Sequence, residues 1–171
     1  MPGPRWNVRR ESLGRLRPAW LLGCASVVIL TAAFLAPPSG SVPYPEGYRR
    51  WVHVKSALIP PGRPSHGLHH IYANDKALLG YQTGRFPGGS VIVFDLLDVT
   101  TTAEVTAEAS RIHLDVMRKD AGQFPEGGGW GFEEFQGDSR EPSLGAATRA
   151  ACLQCHSKQL DRDYVFSRFR E

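Results

Sequence analysis

Two cysteines and a histidine near the C terminus have the spacing of a haem-attachment motif. Cys152, Cys155 and His156 occur in the sequence Cys-Leu-Gln-Cys-His. Residues three apart share a face of a helix, so both thiols could reach the two vinyl groups along one edge of a porphyrin. His156 lies one turn after Cys152 and could ligate the iron. The motif therefore predicts one covalently attached haem c, with His156 as the proximal iron ligand.

The cysteine pair has three other interpretations. A zinc site would need two further ligands at matching spacing, and the remaining cysteine, Cys24, lies in an apolar N-terminal segment. A thioredoxin-like redox pair would need a preceding strand within a βαβ unit, which the sequence does not indicate. A structural disulfide between Cys152 and Cys155 would leave His156 without a role. These alternatives stay open, and haem attachment is favoured over them.

The position of the motif narrows the class of cytochrome. Only 15 residues follow His156, and neither methionine, Met1 or Met117, lies downstream of it. The small electron carriers instead have an early motif and take their sixth ligand from a downstream methionine. Here the sixth position is either open, and able to bind small gases or nitrogenous substrates, or filled from upstream. The upstream candidates are Met117 and the histidines His53, His66, His69, His70 and His113.

The positive charge of the chain is concentrated at its N terminus. Residues 1–36 contain five arginines and one acid, whereas the rest has 15 Lys and Arg against 16 Asp and Glu. No nucleic-acid-binding surface is therefore expected. Residues 19–36 are an uncharged, mostly apolar run of 18 residues. A helix of that length spans about 27 Å, close to the hydrocarbon thickness of a bilayer.

This N-terminal segment predicts export. Arginines that precede an apolar segment stay in the cytoplasm, which puts the rest of the chain in the periplasm or another extracytoplasmic compartment. Residues 1–36 are interpreted as a signal peptide or membrane anchor, and residues 37–47, rich in Pro and Gly, as a linker. If uncleaved, residues 19–36 would tether the protein to the inner membrane. The folded domain is then residues 48–171.

Hydrophobic periodicity predicts an α+β domain, mainly an antiparallel β-sheet with a few helices. Strands are expected at residues 51–55, 70–73, 90–99, 111–117 and 130–135. In the fourth of these, Ile112, Leu114 and Val116 form the apolar face, and Met117 lies off it. Asn74 is expected to cap a brief helix that ends near residue 81. A C-terminal helix over residues 143–151 is expected to continue directly into the cysteine motif.

Residues 48–169 resemble the cytochrome P460 family, including its cytochrome c′-beta members. The motifs that carry the resemblance cover nearly all of the predicted folded domain. They are residues 48–52 (YRRWV, read as an opening strand), 71–74 (IYAN), 83–90 (TGRFPGGS), 119–120 (KD), 129–132 (GWGF), 152–156 (CLQCH) and 163–169 (DYVFSRF).

The resemblance implies a mostly antiparallel β-sheet, a homodimer and a five-coordinate haem. Family members with a lysine cross-linked to the haem resemble hydroxylamine-oxidising enzymes, and members without it resemble cytochromes that bind nitric oxide or carbon monoxide. Alignment with the family puts Phe94 at the position of the cross-linking lysine and Asp115 at that of a distal acid. Phe94 would make the distal pocket apolar, which suits neutral diatomic ligands, whereas Asp115 would retain a proton acceptor. Phe94 as a core residue and Asp115 as a solvated one are equally ordinary interpretations.

The leading hypothesis is an exported mono-haem cytochrome with an open distal site. It would bind nitric oxide or another small gaseous or nitrogenous ligand, or exchange single electrons with a redox partner protein. Two alternatives within haem chemistry are a hydroxylamine- or nitric-oxide-oxidising enzyme, in which Asp115 would be the catalytic distal acid, and a six-coordinate electron carrier. A further alternative is an extracytoplasmic structural module that contains a disulfide and no haem.

Overall fold

The structure is a computed structural model that describes Gly3 and residues 40–170. The chain divides into two units, residues 1–34 and 35–171, and every element below belongs to the second. The predicted signal or anchor segment, apart from Gly3, and the first residues of the predicted linker lie outside the described part. Within residues 40–170, no helix is both long enough and apolar enough to cross a bilayer.

Five strands form one antiparallel sheet in which each strand pairs with the next along the chain. The strands are β1 (Val52–Ile59), β2 (Gly67–Ala73), β3 (Val91–Thr101), β4 (Thr106–Lys119) and β5 (Trp130–Gln136). The α-helices are α1 (Asp75–Thr83) and α2 (Ala146–His156), and short 3-10 helices cover Tyr48–Arg50, Gly127–Gly129 and Ser157–Arg162. The α+β class and all five expected strands are confirmed, although most strands are longer than the sequence pattern indicated.

Local signals account for α1 but only partly for α2. The Asn74 side chain accepts a hydrogen bond from the Ala77 amide at 2.9 Å, which is the expected N-cap of α1. The C-terminal helix continues through the cysteine motif as expected, but it begins at Ala146 rather than at residue 143. The opening segment was expected to be extended, but Tyr48–Arg50 forms a 3-10 helix and β1 begins at Val52.

Both faces of the sheet carry a buried apolar cluster. On one face, residues of the segment before β1 pack on strand residues to form the outer cluster of Val42, Tyr48, Val93, Leu114, Val116 and Phe135. On the other face, α1, α2 and the C-terminal segment help to form the inner cluster of Val54, Ala73, Ala77, Phe86, Ile92, Met117, Trp130, Phe132 and Val165. Met117 does lie opposite Leu114 and Val116, as alternation requires, but only 8% of it is exposed because its own face is covered too.

The segment interpreted from sequence as a linker takes part in this packing. Val42 is 1% exposed within the outer cluster, and the Tyr44 ring lies 5.1 Å from the Phe135 ring in an edge-to-face contact. Prolines and glycines mark the segment as irregular in conformation. The apolar side chains between them nevertheless attach it to the sheet.

A fully buried carboxylate lies on the outer face of β3. Asp95 is 0% exposed, and its Oδ1 accepts a hydrogen bond from Arg111 Nε at 2.7 Å. Its Oδ2 accepts hydrogen bonds from the Tyr48 hydroxyl at 2.6 Å and from the Arg49 guanidinium at 3.0 Å. Burial and the hydrogen bond to Asp95 together raise the pKa of Tyr48. This network fixes the 3-10 segment before β1 against the middle of the sheet.

Replacement of the buried carboxylate should therefore be costly. We expect Asp95→Asn to lower the free energy of unfolding by about 3 kcal/mol, since it removes the fully buried counter-ion of Arg111, whose side chain is only 11% exposed. Urea denaturation of the haem-loaded protein measures the change. Asp138→Asn is the matched control, because Asp138 binds the same Arg111 but is 90% exposed, and its loss should cost less than about 1 kcal/mol. Equal losses in the two variants would contradict the importance of burial at Asp95.

Candidate haem-binding site

Helix α2 carries the cysteine motif and borders a cavity against the sheet. None of its residues is fully buried, although Cys152 and Leu153 pack at the edge of the inner cluster. Helices of this length are stabilised mainly by the packing of an apolar face. The face that bears Cys152, Cys155 and His156 instead lines a cavity of about 530 Å³. The helix is thus held beside a space large enough for a cofactor.

An ion pair attaches α2 to the edge strand. Glu133 on β5 is 1% exposed, and its carboxylate binds Arg149 of α2. The same carboxylate accepts a hydrogen bond at 2.9 Å from the amide of Leu144, just before the helix. A buried charge must be paired to be tolerated, so this contact fixes the helix along β5.

The His156 ring is oriented as a proximal ligand would be. Its Nδ1 lies 2.8 Å from the carbonyl oxygen of Tyr164. A carbonyl can only accept, so Nδ1 carries the hydrogen and Nε2 keeps its lone pair free for a metal. The ring lies between those of Phe132 and Phe166, at 4.8 and 5.1 Å. Burial lowers the pKa of His156, which favours the neutral imidazole that binds metals.

A glycine turn lets the site close around α2. Gly127 and Gly128 both have left-handed backbones, with φ of 62° and 67°. A Cβ at Gly127 would lie 2.2 Å from the Leu153 side chain, and one at Gly128 would lie 2.5 Å from the Tyr164 ring. Only glycine permits both the conformation and the close approach. The Gly127–Gly129 turn therefore positions α2 and Tyr164, the residue that binds His156.

The donor set fits a covalently attached haem. Cys152 and Cys155 are free thiols one helical turn apart, and burial raises the pKa of Cys152. His156, whose Nδ1 is taken up by the Tyr164 carbonyl, lines the same space. The rest of the cavity wall is mainly apolar, as a porphyrin requires. Its members include Ile71, Ile92, Phe94, Met117, Phe132, Leu144, Val165 and Phe166.

Phe94 and Asp115 lie on the sheet wall of this same cavity. They face each other across β3 and β4 as directly paired residues. The Phe94 ring packs edge to face on the ring of His69, with centroids 4.3 Å apart. His69 is itself 4% exposed, and its Nε2 donates a hydrogen bond to the Ser65 carbonyl at 2.7 Å. The five site residues expected from sequence are thus brought together around one space.

Asp115 belongs to a polar cluster at the cavity wall. It pairs across the strands with Glu134, and its carboxylate lies 3.4 Å from His113 Nε2. The ligand atoms of these three residues all lie within 4.8 Å of one another. The hydrogen bond to Asp115 raises the pKa of His113, although burial opposes it. The imidazolium form of His113 therefore offsets the repulsion between two facing carboxylates.

Some of the candidate sixth ligands lie at the cavity and others lie away from it. Met117 lines the cavity, and His69 and His113 lie beside Phe94 and Asp115. His53 and His70 instead bind the Ser56 hydroxyl, at 2.9 and 2.7 Å. Ile71 lines the cavity, so strand alternation puts the neighbouring His70 on the opposite face of the sheet. His66 is exposed in the connection before β2. Within residues 40–170, the structure does not bring His53, His66 or His70 to the cavity.

Several residues of the site were not anticipated from the sequence. The Tyr164 carbonyl carries no side-chain signal at all. Glu134 and the pairing of Glu133 with Arg149 depend on strand register and on the position of α2. Alternation did contain one usable signal, because His113, Asp115 and Met117 must share a face if they lie on one strand.

The His113–Asp115 pair predicts a pH dependence of stability. Asp115 and Glu134 raise the pKa of His113 above its ordinary value, while His69 is the neighbouring imidazole. The stabilisation is therefore fully present below the pKa of unfolded His113 and is lost as the pH rises through the raised value. When the pH is raised from about 5.5 to about 8, we expect the free energy of unfolding to fall by up to about 1 kcal/mol more in the wild type than in His113→Gln.

Urea denaturation of the haem-loaded proteins at the two pH values measures this difference. His66→Gln is the control for loss of an imidazole, because His66 is exposed. If His113→Gln retains the pH dependence of the wild type, the stabilising pair does not form.

Comparison with known families agrees with this geometry. The sequence model described as Cytochrome P460 matches residues 45–167, which is most of the chain and includes the cysteine motif. No curated protein matches the chain. The family implies a haem cofactor with iron, which is the group that the donor set fits. Since the match covers well over half of the chain and confirms the resemblance seen in its motifs, this protein belongs to the cytochrome P460 family of haem cytochromes.

Proposed function

We propose that the protein is an exported mono-haem c-type cytochrome with an open distal site, which binds nitric oxide or another small neutral ligand. The observation that carries the proposal is the arrangement of His156. Its Nδ1 is held by the Tyr164 carbonyl at 2.8 Å, and its ring borders a largely apolar cavity beside two free thiols. Thioether bonds from Cys152 and Cys155 would hold one haem, with His156 as the proximal ligand.

When bound, the haem supplies an iron that changes oxidation state and accepts a small ligand at its sixth position. The residues of the chain control access to that position. Phe94, braced by His69, contributes an aromatic ring to the sheet wall of the cavity. An apolar wall favours neutral diatomic ligands over water and charged substrates. Single-electron exchange with a redox partner protein is compatible with the same site.

The lining of the cavity supports ligand binding over the cross-linked chemistry of the family's enzymes. A cross-link to the haem would need an amine in the cavity. Among the described residues that line it, none is a lysine, and the aligned position holds Phe94. Hydroxylamine oxidation through a lysine cross-link is therefore the less favoured alternative.

Asp115 favours a second candidate function, oxidation of hydroxylamine or nitric oxide. Asp115 lines the cavity beside Phe94, its neighbour on the adjacent strand, where its carboxylate could accept a proton from a substrate. We expect Asp115→Asn to lower any such oxidation by about 10²-fold or more and to leave nitric oxide affinity nearly unchanged. Stopped-flow binding and steady-state turnover measure the two effects. Unchanged turnover in the variant would remove Asp115 from the catalytic role.

A six-coordinate electron carrier is the remaining alternative. Met117 lines the cavity, and His69 and His113 lie beside its lining residues Phe94 and Asp115, so these three are the upstream candidates that remain for the sixth position. The His69 Nε2 already donates to Ser65 at 2.7 Å, which disfavours that nitrogen as an iron ligand. Resonance Raman of the ferrous protein separates five-coordinate from six-coordinate haem.

Export and self-association complete the proposal. The family is typically exported, and the basic segment followed by the apolar run at residues 19–36 supports export to the periplasm. Whether this segment is retained as an anchor decides between a tethered and a released protein. A homodimer is proposed from the family resemblance.

The first test is the absorption spectrum of the ferrous protein, matured with c-type haem, before and after addition of nitric oxide. We expect a high-spin, five-coordinate spectrum that changes on addition of the gas. His156→Ala should lose this ligation, while the thioether-linked haem remains attached. A strongly red-shifted Soret band in the wild type would indicate a cross-linked haem and would contradict the argument from Phe94. A colourless protein from cells with active haem maturation would reject the proposal entirely.

A further inference from the structure

We propose that Asp163 is a positioning residue for the proximal ligand, and that with Lys119 and Trp130 it sets the strength of the His156 hydrogen bond and hence the redox preference of the iron. The inference rests on the proposed function, since it assumes that His156 ligates the haem. It goes beyond that function because neither Asp163 nor its partners line the cavity.

Asp163 is held at both ends of its carboxylate. It is 6% exposed, and its Oδ1 accepts a hydrogen bond from Lys119 Nζ at 2.6 Å. Its Oδ2 accepts another at 2.8 Å from the amide of Phe86, which lies 77 residues away in the sequence. Lys119 is itself only 13% exposed. A buried carboxylate with both oxygens occupied by donors has one orientation.

The backbone of Asp163 is fixed as well. Trp130 Nε1 donates a hydrogen bond to the Asp163 carbonyl at 2.8 Å. Lys119 and Trp130 are directly paired residues of β4 and β5, and Lys119 Nζ lies 5.0 Å from the centre of the Trp130 ring. The sheet therefore holds Asp163 through one cation and one indole. We call Asp163, Lys119 and Trp130 the Asp163 cluster.

The Asp163 cluster stabilises an unfavourable backbone conformation at the residues that supply the acceptor of the His156 hydrogen bond. Asp163 and Tyr164 both have left-handed conformations, with φ of 51° and 69°. Side chains other than glycine avoid this region, and such residues persist only where surrounding contacts fix them. The Tyr164 carbonyl that accepts from His156 Nδ1 belongs to this pair. If the contacts of Asp163 are weakened, the pair can relax and the carbonyl can move away from the ring.

The strength of the His156 hydrogen bond would affect the reduction potential of the haem iron. A strong hydrogen bond from Nδ1 gives the imidazole more anionic character and makes its other nitrogen more basic. A more basic axial ligand favours the ferric over the ferrous state. The Asp163 cluster would thus lower the reduction potential of the haem through a residue pair on the sheet.

The test compares haem-loaded wild type with Asp163→Asn, which keeps the size of the side chain but removes its charge. We expect the iron–histidine stretching band of the ferrous protein to move to lower frequency in resonance Raman spectra. We also expect the midpoint potential to rise, by about 59 mV if the relative preference of His156 for the two iron states changes about tenfold. Haem content should stay at the wild-type level.

Asp95→Asn is the matched control. Asp95, like Asp163, is a buried carboxylate with cationic partners, here Arg49 and Arg111, but it lies on the outer face of the sheet. It should lose stability without moving the iron–histidine band. Lys119→Met should shift the band as Asp163→Asn does. Lys119→Arg, which keeps the cation, should leave the band close to its wild-type frequency.

The possible results distinguish the positioning role of Asp163 from the ligation of the haem by His156, on which it rests. If the wild type shows the band and Asp163→Asn leaves both band and potential unchanged, the positioning role is wrong while ligation by His156 stands. If Asp95→Asn shifts the band equally, the effect is general destabilisation and the positioning role is again wrong. Should Asp163→Asn fail to fold, Trp130→Phe decides, because it removes the indole donor to the Asp163 carbonyl while keeping an aromatic ring at this buried position: a shifted band supports the inference and an unchanged band overturns it. A wild type without an iron–histidine band would reject the proposed function itself.

Discussion

The hydrogen bond from His156 Nδ1 to the Tyr164 carbonyl is the contact on which the site depends. It fixes the tautomer and the orientation of His156, the side chain proposed as the proximal ligand. It also joins the end of α2 to the C-terminal segment, which the Trp130 indole and the Asp163 carboxylate attach to the sheet. The geometry at the proposed iron site is therefore determined by contacts that lie outside the cavity.

The two faces of the sheet have different tasks. The outer face is closed by the segment before β1 and contains the buried Asp95 network, none of whose members lines the cavity. The inner face is only partly filled by protein, because α2 is held beside it by Glu133 and Arg149 while leaving a cavity of about 530 Å³. On the wall of that cavity, strand register puts an aromatic residue, Phe94, directly beside an acidic one, Asp115. In the proposed function, the balance between ligand binding and proton transfer would depend on this pair.

Much of the fold could be predicted because its signals are local. The N-cap at Asn74 and the alternation in each strand depend on residues a few positions apart. The predictions that were wrong depend on distant partners. The 3-10 helix at Tyr48–Arg50 replaces an expected strand because Tyr48 and Arg49 are drawn to Asp95, more than forty residues away. Alternation alone likewise gives no reason for the face of Met117 to be as deeply buried as that of Leu114.

The sequence by itself determined the attachment motif, since Cys152, Cys155 and His156 need only the geometry of one helix to act together. It also determined that the excess of basic residues and the long apolar run both lie within residues 1–36. Only the tertiary structure decided that Phe94 and Asp115 share a cavity with this motif, and that the Tyr164 carbonyl orients the histidine. The physical reason is that helix spacing and charge are properties of neighbouring residues. A cavity and a backbone acceptor exist only after register, strand order and a left-handed turn have brought distant parts of the chain together.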